Sequence, residues 1–508
     1  MRKKSLFFWF FALIISLVPV IFIVIKVWTG AFAFWYDPAR DMLSAWDNLS
    51  KPTLIGPTSG IPGIFYGPYW IWILSIGELI SHDPRWVDFF AMTIPYVVVF
   101  PLLLFLFKGV FDKKILFLLW LLFILGYSLY AYSLWNPYPA PVLFLLFVVL
   151  LLQSDFNSNS IRQHLVVLVT GFSLGILANF HLSFGIGAVF GSAIYLVVQT
   201  FFEMKKNKKM IVPFFKNRCL QTAVFALGFV IAFSPFFLFE LRHDFTQTKT
   251  FINAFTHFGG VVQTTGLTKM QIIQEFFGRL ATLLQTPLLV SCAIFFLGVF
   301  YIFFKWKTKE ITFSDKKKKL ILILVSIAVG VLALYFTAKN PIWNYHFIGV
   351  EIIFLLSIGI ILQKSRPLQI LSAFWIVYLL ISFSITSFQS ISIDPKTVSG
   401  NVVAEKKVVE KVNANADGKD YTVFVYSPSI YSYDYSYLFR YLYNKDVPYR
   451  PELNPTDSSL VYIVFPPQVK SSIYTDFIHY RTPVSEYKTV KQWTMPSGST
   501  IIKREKSK

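Results

Sequence analysis

Two carboxylates and a guanidinium fall within one short stretch, Trp35-Tyr36-Asp37-Pro38-Ala39-Arg40-Asp41, just after the first long apolar run of the chain. Charge beside lipid is costly, so charged groups at a membrane boundary call for a role. A carboxylate with a cation one helical turn away stays ionised, which is the state a general base needs. Asp37 is therefore the candidate to take the proton of an attacking hydroxyl or amine, with Arg40 and Asp41 beside it. The same residues also suit a helix start, with Asp37 as N-cap and Pro38 at the first helical position.

Other polar groups recur at comparable positions between apolar runs. Ile55-Gly56-Pro57-Thr58-Ser59-Gly60-Ile61-Pro62-Gly63 reads as an ordered turn. It leads into Phe65-Tyr66-Gly67-Pro68-Tyr69-Trp70, whose aromatic rings suit either an interfacial belt or the stacking of a sugar beside Asp37, with Tyr66 as the candidate. Phe239-Glu240-Leu241-Arg242-His243-Asp244 puts four ionisable groups at a helix end. They read either as a solvated cap or, through Arg242 and His243, as a cationic pocket for a phosphate. Three turns add Asn136, His181, and Lys339-Asn340 with His346. Each alone suits a hydrogen-bonded structural role, and their convergence at one level is what suggests a site.

The elements that must position these groups are membrane helices. Of 508 residues, 55% are hydrophobic and 15% charged, and the mean hydropathy is +0.57. Eleven apolar stretches approach the roughly 20 residues a spanning helix needs, near 6–28, 87–107, 115–132, 139–153, 165–180, 184–202, 219–239, 285–304, 320–338, 346–363 and 367–388. The first, after Arg2-Lys3-Lys4, lacks a small-residue cleavage site and reads as a retained helix. Lys and Arg concentrate in alternate connections, including Lys205-Lys206-Asn207-Lys208-Lys209 and Lys316 to Lys319. That pattern places the N-terminus in the cytoplasm and the Asp37 loop outside a plasma membrane. It also accounts for the +20 net charge without a nucleic-acid partner.

Long connections at 29–86 and 240–284 lie on the outer side, and residues 1–388 form the membrane domain. Residues 389–508 change texture. Tyr421 to Ser427 and Ser459 to Phe465 read as buried strands, Ile430 to Tyr443 has helical spacing, and a final strand covers Thr500 to Lys503, so a small extracytoplasmic α/β domain is expected. Cys219 and Cys292 sit in or beside apolar runs and show no disulfide or metal spacing, and no phosphate-binding glycine loop occurs. A polytopic carrier or flippase is the rival class. Carriers, however, concentrate ionisable groups near the bilayer midplane and show paired repeats, whereas these cluster at one boundary.

The layout resembles the GT-C membrane glycosyltransferases, in particular the family 39 branch with the protein O-mannosyltransferases and lipid A aminoarabinose transferases. The branch pattern Asp-Glu-x-Arg-Tyr is matched at Asp37 and Arg40, while Pro38 and Asp41 are this chain's own. The branch's Pro-aromatic stretch is similar to Tyr66-Gly67-Pro68-Tyr69-Trp70, without its lysine. The resemblance implies a GT-C-like helical fold with an outer C-terminal domain. It implies inverting transfer of a sugar from a polyprenyl-phosphate donor to an extracytoplasmic acceptor, with Asp37 as general base. No cofactor is required by it, and a divalent cation is compatible with it.

Overall fold

A computed structural model describes residues 2–59, 63–206, 211–256, 266–338, 341–427, 431–448, 456–467 and 471–507. Residues 60–62 of the Gly/Pro run, Asn207 to Lys209, Lys339-Asn340 and Ile430, all named above, lie outside the described residues. The protein is a multi-pass helical membrane protein. Among the described residues eight helices are long and apolar enough to cross a bilayer: Pro84–Gly109, Lys113–Tyr132, Ile161–Phe180, Leu182–Lys205, Leu288–Lys307, Asp315–Thr337, Asn344–Leu362 and Arg366–Ser392. A ninth is broken, Lys216–Ala232 and Ser234–Arg242 meeting at 56°. Of the other two expected spans, the one near 6–28 falls in the 27-residue helix Arg2–Trp28, and the one near 139–153 corresponds to the shorter apolar helix Ala140–Gln153. Fourteen helical residues rise only about 21 Å, short of the ~30 Å hydrocarbon core. Among the described residues, eight helices, or nine with the broken one, are long and apolar enough to span.

The broken helix shows how the site loop is tied to the bundle. Pro235 opens its second half and has no N–H to give to the preceding turn. The Ala232 carbonyl at the break instead accepts from the Tyr69 hydroxyl at 2.8 Å and from Asn179 Nδ2 at 3.3 Å. Two side chains thus satisfy the Ala232 carbonyl at the break. Elsewhere small residues let helices approach closely. A Cβ on Gly330 would lie 2.2 Å from the Gly191 backbone nitrogen, and one on Gly171 would lie 1.9 Å from the Phe225 carbonyl oxygen.

The chain beyond Ser392 forms an α/β module. Its sheet has the order β1-β2-β4-β3, with β1 Thr422–Val425, β2 Leu460–Phe465, β3 Tyr487–Thr494 and β4 Thr500–Lys506. β1 runs parallel to β2, and the other pairs are antiparallel. The expected strands and helix are present. β3 was not expected, because all but its first residue are exposed or only partly buried and it carries no hydrophobic alternation.

The module sits on the Asp37 loop through the helix Tyr433–Tyr443. Its Tyr437 hydroxyl lies 2.9 Å from Glu78 Oε1 and 2.6 Å from the His82 carbonyl. His82 Nδ1 lies 2.7 Å from Glu78 Oε2 and its ring stacks on Trp46 at 3.6 Å. Arg440 pairs with Asp47 at 2.7 Å over the same Trp46. The single Tyr437 proton cannot serve both acceptors, and a protonated Glu78 completes the set by donating its own. Burial does push the Glu78 carboxyl up to about 8, against the pull of Tyr437 and Arg440, while His82 is pushed down by burial and by Arg440. A raised carboxyl pKa makes the folded form the better proton binder. The seat is then most stable in acid and weakens as pH rises from the ordinary 4.5 through about 8. Glu78→Gln, neutral at every pH, is expected to remove this fall. Melting curves between pH 5 and pH 9 check it, and equal pH slopes for both proteins refute it.

Candidate active site

The helix Tyr36–Asn48 carries the first group of residues. It starts at Tyr36 with Trp35 as N-cap, and no side chain caps it. Asp37 is therefore not the N-cap that its Asp-Pro sequence suggests. Its carboxylate points at Arg40, whose Nη1 lies 2.8 Å from Asp37 Oδ1. The same guanidinium holds Asp41 Oδ1 through Nη2 at 2.7 Å and Nε at 2.8 Å, and its Nη1 also reaches Thr58 Oγ1 at 3.2 Å.

The three charges are not equivalent. The Asp41 side chain is 1% exposed and takes a further bond from Trp70 Nε1 at 2.9 Å; Arg40 is 13% exposed and Asp37 22%. Asp41 thus anchors Arg40, Arg40 orients Asp37, and Asp37 is the carboxylate left facing outward. Burial pushes Asp37 above the usual Asp range, while Arg40 and a hydrogen bond from Trp135 pull it back. Burial raises Asp41 to about 6 against Arg40 and Trp70, and on Arg40 the two carboxylates outweigh burial and hold the cation up.

Around Asp37 stands a ring of aromatic and amide groups drawn from distant parts of the chain. Trp135 packs on Trp35 at 6.3 Å and on Tyr345 at 5.4 Å. Tyr66, raised by burial, is hydrogen-bonded by Asn136 and lies in electrostatic range of Tyr345, Asp37 and Arg40. Asn136 also donates to the Phe180 carbonyl at 3.2 Å. The structure therefore brings together Asp37, Arg40, Asp41, Tyr66 and Asn136.

The histidines are more remote in function. His181 is fully buried, its Nε2 is 3.0 Å from the Tyr345 carbonyl, and burial together with His346 pushes it down to about 3. A neutral ring that fixes the Tyr345 backbone is a positioning group. His346 accepts the Trp343 N–H at 3.1 Å and so shapes the same turn. Arg242 and His243 are exposed at the end of the helix Ser234–Arg242, with His243 stacked on Phe239 at 4.0 Å. Their neighbour Glu240 is buried and accepts the Gln247 and Thr248 backbone N–H groups at 3.1 and 2.7 Å. Gln247 in turn accepts the Phe65 N–H at 2.7 Å. Glu240 is thus the structural member of that motif, linking it to the Tyr66 stretch.

One cation escaped the sequence reading. Arg279, on the helix Lys269–Leu284, donates to the Tyr130 hydroxyl at 3.1 Å and to the Asn344 carbonyl, and its Nε has no partner among the described residues. Its signal was masked because Glu275, four positions earlier, makes it look like one half of a solvated helix pair. Among the described residues no three His, Cys, Asp or Glu side chains converge, and both site carboxylates are spent on Arg40. The described residues of the site offer no free set of ligands for a divalent cation.

Gly67 ties the Tyr66 stretch to the bundle. A Cβ there would lie 1.7 Å from Asn179 Oδ1, and Asn179 is fixed by its bonds to Gly175 and Ala232. Gly67→Ala is expected to cost about 1–3 kcal/mol and to displace Tyr66. A melting temperature equal to that of the parent would refute this.

No protein-family model and no curated protein matches the chain. Solved structures do. ArnT from Cupriavidus metallidurans bound to undecaprenyl phosphate is similar with a TM-score of 0.62 at 10% identity, over 99% of this chain and 98% of that one. Its apo form gives 0.61 over the same shares. The Archaeoglobus fulgidus oligosaccharyltransferase gives 0.48 at 13% identity, over 92% of this chain and 70% of that one. Over nearly its whole length, module included, the chain has the fold of ArnT.

Proposed function

We propose that the protein is a glycosyltransferase that moves a sugar, with inversion, from a polyprenyl-phosphate donor to an acceptor on the side of the membrane carrying the C-terminal module. The observation that supports it most is Asp37: a partly exposed carboxylate paired with a nearly buried arginine, on a fold whose full-length structural match binds undecaprenyl phosphate.

In this reading the acceptor oxygen attacks the anomeric carbon from the face opposite the phosphate. The new C–O bond forms as the bond to the phosphate oxygen breaks, and its electron pair leaves with the polyprenyl phosphate. The acceptor proton passes to Asp37. Arg242 and Arg279 supply positive charge for the departing phosphate, with His243 beside them, and Arg40 pulls Asp37 toward its ionised form. The lipid tail lies among the membrane helices. The N-terminus is cytoplasmic and the module extracytoplasmic, as the basic connections require.

Mass spectrometry of cell-envelope glycans and lipid-linked sugars, with and without the protein, tests the class. Accumulation of one lipid-linked sugar with loss of one glycan residue is the expected result. No change in either would overturn the reading.

A further inference from the structure

The C-terminal module reaches the Asp37 site. Tyr433 and Tyr431 from the module meet Tyr36 at 5.1 and 5.9 Å between ring centroids, and stack on one another at 5.6 Å. Tyr36 in turn carries the Arg40 guanidinium on its face at 5.4 Å. The series runs Arg40, Tyr36, Tyr433, Tyr431, and each of the three rings is half-buried, with part of its surface open.

Two helical stripes fix this arrangement. Tyr433, Tyr437 and Arg440 share a face of the module helix at spacings of four and three. They meet, in order, Tyr36, Trp46 and Asp47 of the helix Tyr36–Asn48. The two helices therefore pack against one another. Tyr433 is held at the Asp37 end of the helix Tyr36–Asn48 with the Tyr437 and Arg440 contacts further along.

The chemistry of the rim selects what it can hold. Arg40 is already shared between Asp37 and Asp41, so the three groups together carry one net negative charge. An anionic acceptor would meet Asp37 with Arg40, the cation paired to it, already bound to two carboxylates. Flat aromatic faces next to a carboxylate suit a ring with an apolar C–H face and hydroxyls at its edge, and Trp35, 41% exposed, extends that surface.

Resting on the glycosyl-transfer reading above, we propose that the acceptor is a neutral carbohydrate and that Tyr433 and Tyr431, supplied by the C-terminal module, are the platform on which its ring stacks to present a hydroxyl to Asp37. The module is then a fixed half of the acceptor site. The bond changes are those already given: acceptor oxygen to anomeric carbon formed, anomeric carbon to phosphate oxygen broken, and the acceptor proton carried by Asp37.

The test uses full-length protein in lipid nanodiscs. The donor is the radiolabelled polyprenyl-phosphate lipid pool extracted from the same membranes. The acceptor is cell envelope from cells lacking the protein, given untreated, digested with protease, or oxidised with periodate to break vicinal diols. Label incorporation is expected to survive protease and to be lost after periodate. Tyr433→Ala is expected to lower transfer about tenfold, the scale of one aromatic contact, chiefly by raising KM for untreated envelope. Its thermal stabilisation by undecaprenyl phosphate is expected to match the parent, and Tyr433→Trp is expected to keep most transfer. Loss of incorporation after protease overturns the proposal. So does parental transfer by both Tyr433→Ala and Tyr431→Ala while Asp37→Asn is inactive. A Tyr433→Ala protein that no longer responds to undecaprenyl phosphate overturns it too, because the role is then structural. If parent and Asp37→Asn proteins transfer no label to any envelope sample, the glycosyl-transfer reading fails and the proposal falls with it.

Discussion

Asp37→Asn is expected to lower glycosyl transfer by about 10²–10⁴-fold, the usual worth of a positioned proton acceptor, while the protein still folds and inserts. The amide keeps an oxygen for Arg40 Nη1, now 2.8 Å from Asp37 Oδ1, and Arg40 retains Asp41, so the change removes basicity more than structure. Its melting temperature should stay close to that of the parent, and stabilisation by undecaprenyl phosphate should persist. The pH profile gives an independent reading. A base must be deprotonated to act, and burial pushes Asp37 above the usual Asp range. The parent should therefore lose activity on its acid side at a higher pH than an exposed aspartate would impose, and the residual activity of Asp37→Asn should lack that limb. Transfer within threefold of the parent would leave Asp37 as a partner of Arg40 and nothing more.

How much of this was legible in the sequence depends on the physics behind each feature. The membrane helices were, because a nearly uncharged apolar run of spanning length seldom occurs outside a bilayer. The stretch near 139–153 shows the limit: it forms a helix of 14 residues, and apolarity marks a helix without fixing that it crosses the bilayer. Asp37 and Arg40 were legible because charges at a membrane boundary stand out. The division of labour between Asp37 and Asp41 was not, since it depends on Trp70, 29 positions further on. Arg279 was hidden by an ordinary-looking Glu275 partner. Tyr431 and Tyr433 were hidden because a tyrosine-rich segment of a small α/β module gives no sign of which domain its rings will touch. Glu240 shows the reverse: a motif that looked like one cationic pocket separates into a buried cap, Glu240, and exposed residues beside it.

The other large effect is expected at Asp41. Asp41→Ala leaves the Trp70 indole N–H buried without an acceptor and leaves Arg40, 13% exposed, with a single carboxylate. Removing one partner of a buried pair typically costs about 3–5 kcal/mol, well above the roughly 1 kcal/mol of a surface pair. Asp41→Asn keeps an acceptor for Trp70 but loses the charge, so it should fall between Asp41→Ala and the parent in melting temperature. The functional consequence follows from geometry. Without the Asp41 charge, Arg40 keeps Asp37 as its one carboxylate and a negative charge beside Asp37 is lost, and both changes favour the ionised form of Asp37. The acid limb of transfer should therefore move to lower pH in Asp41→Asn, whereas in Asp37→Asn it should vanish. Trp70→Phe separates the two parts of the effect, because it removes the indole bond and leaves both charges. If Asp41→Asn and Trp70→Phe lower the melting temperature while the acid limb stays where it is in the parent, Asp41 is a packing residue of the loop and does not tune Asp37.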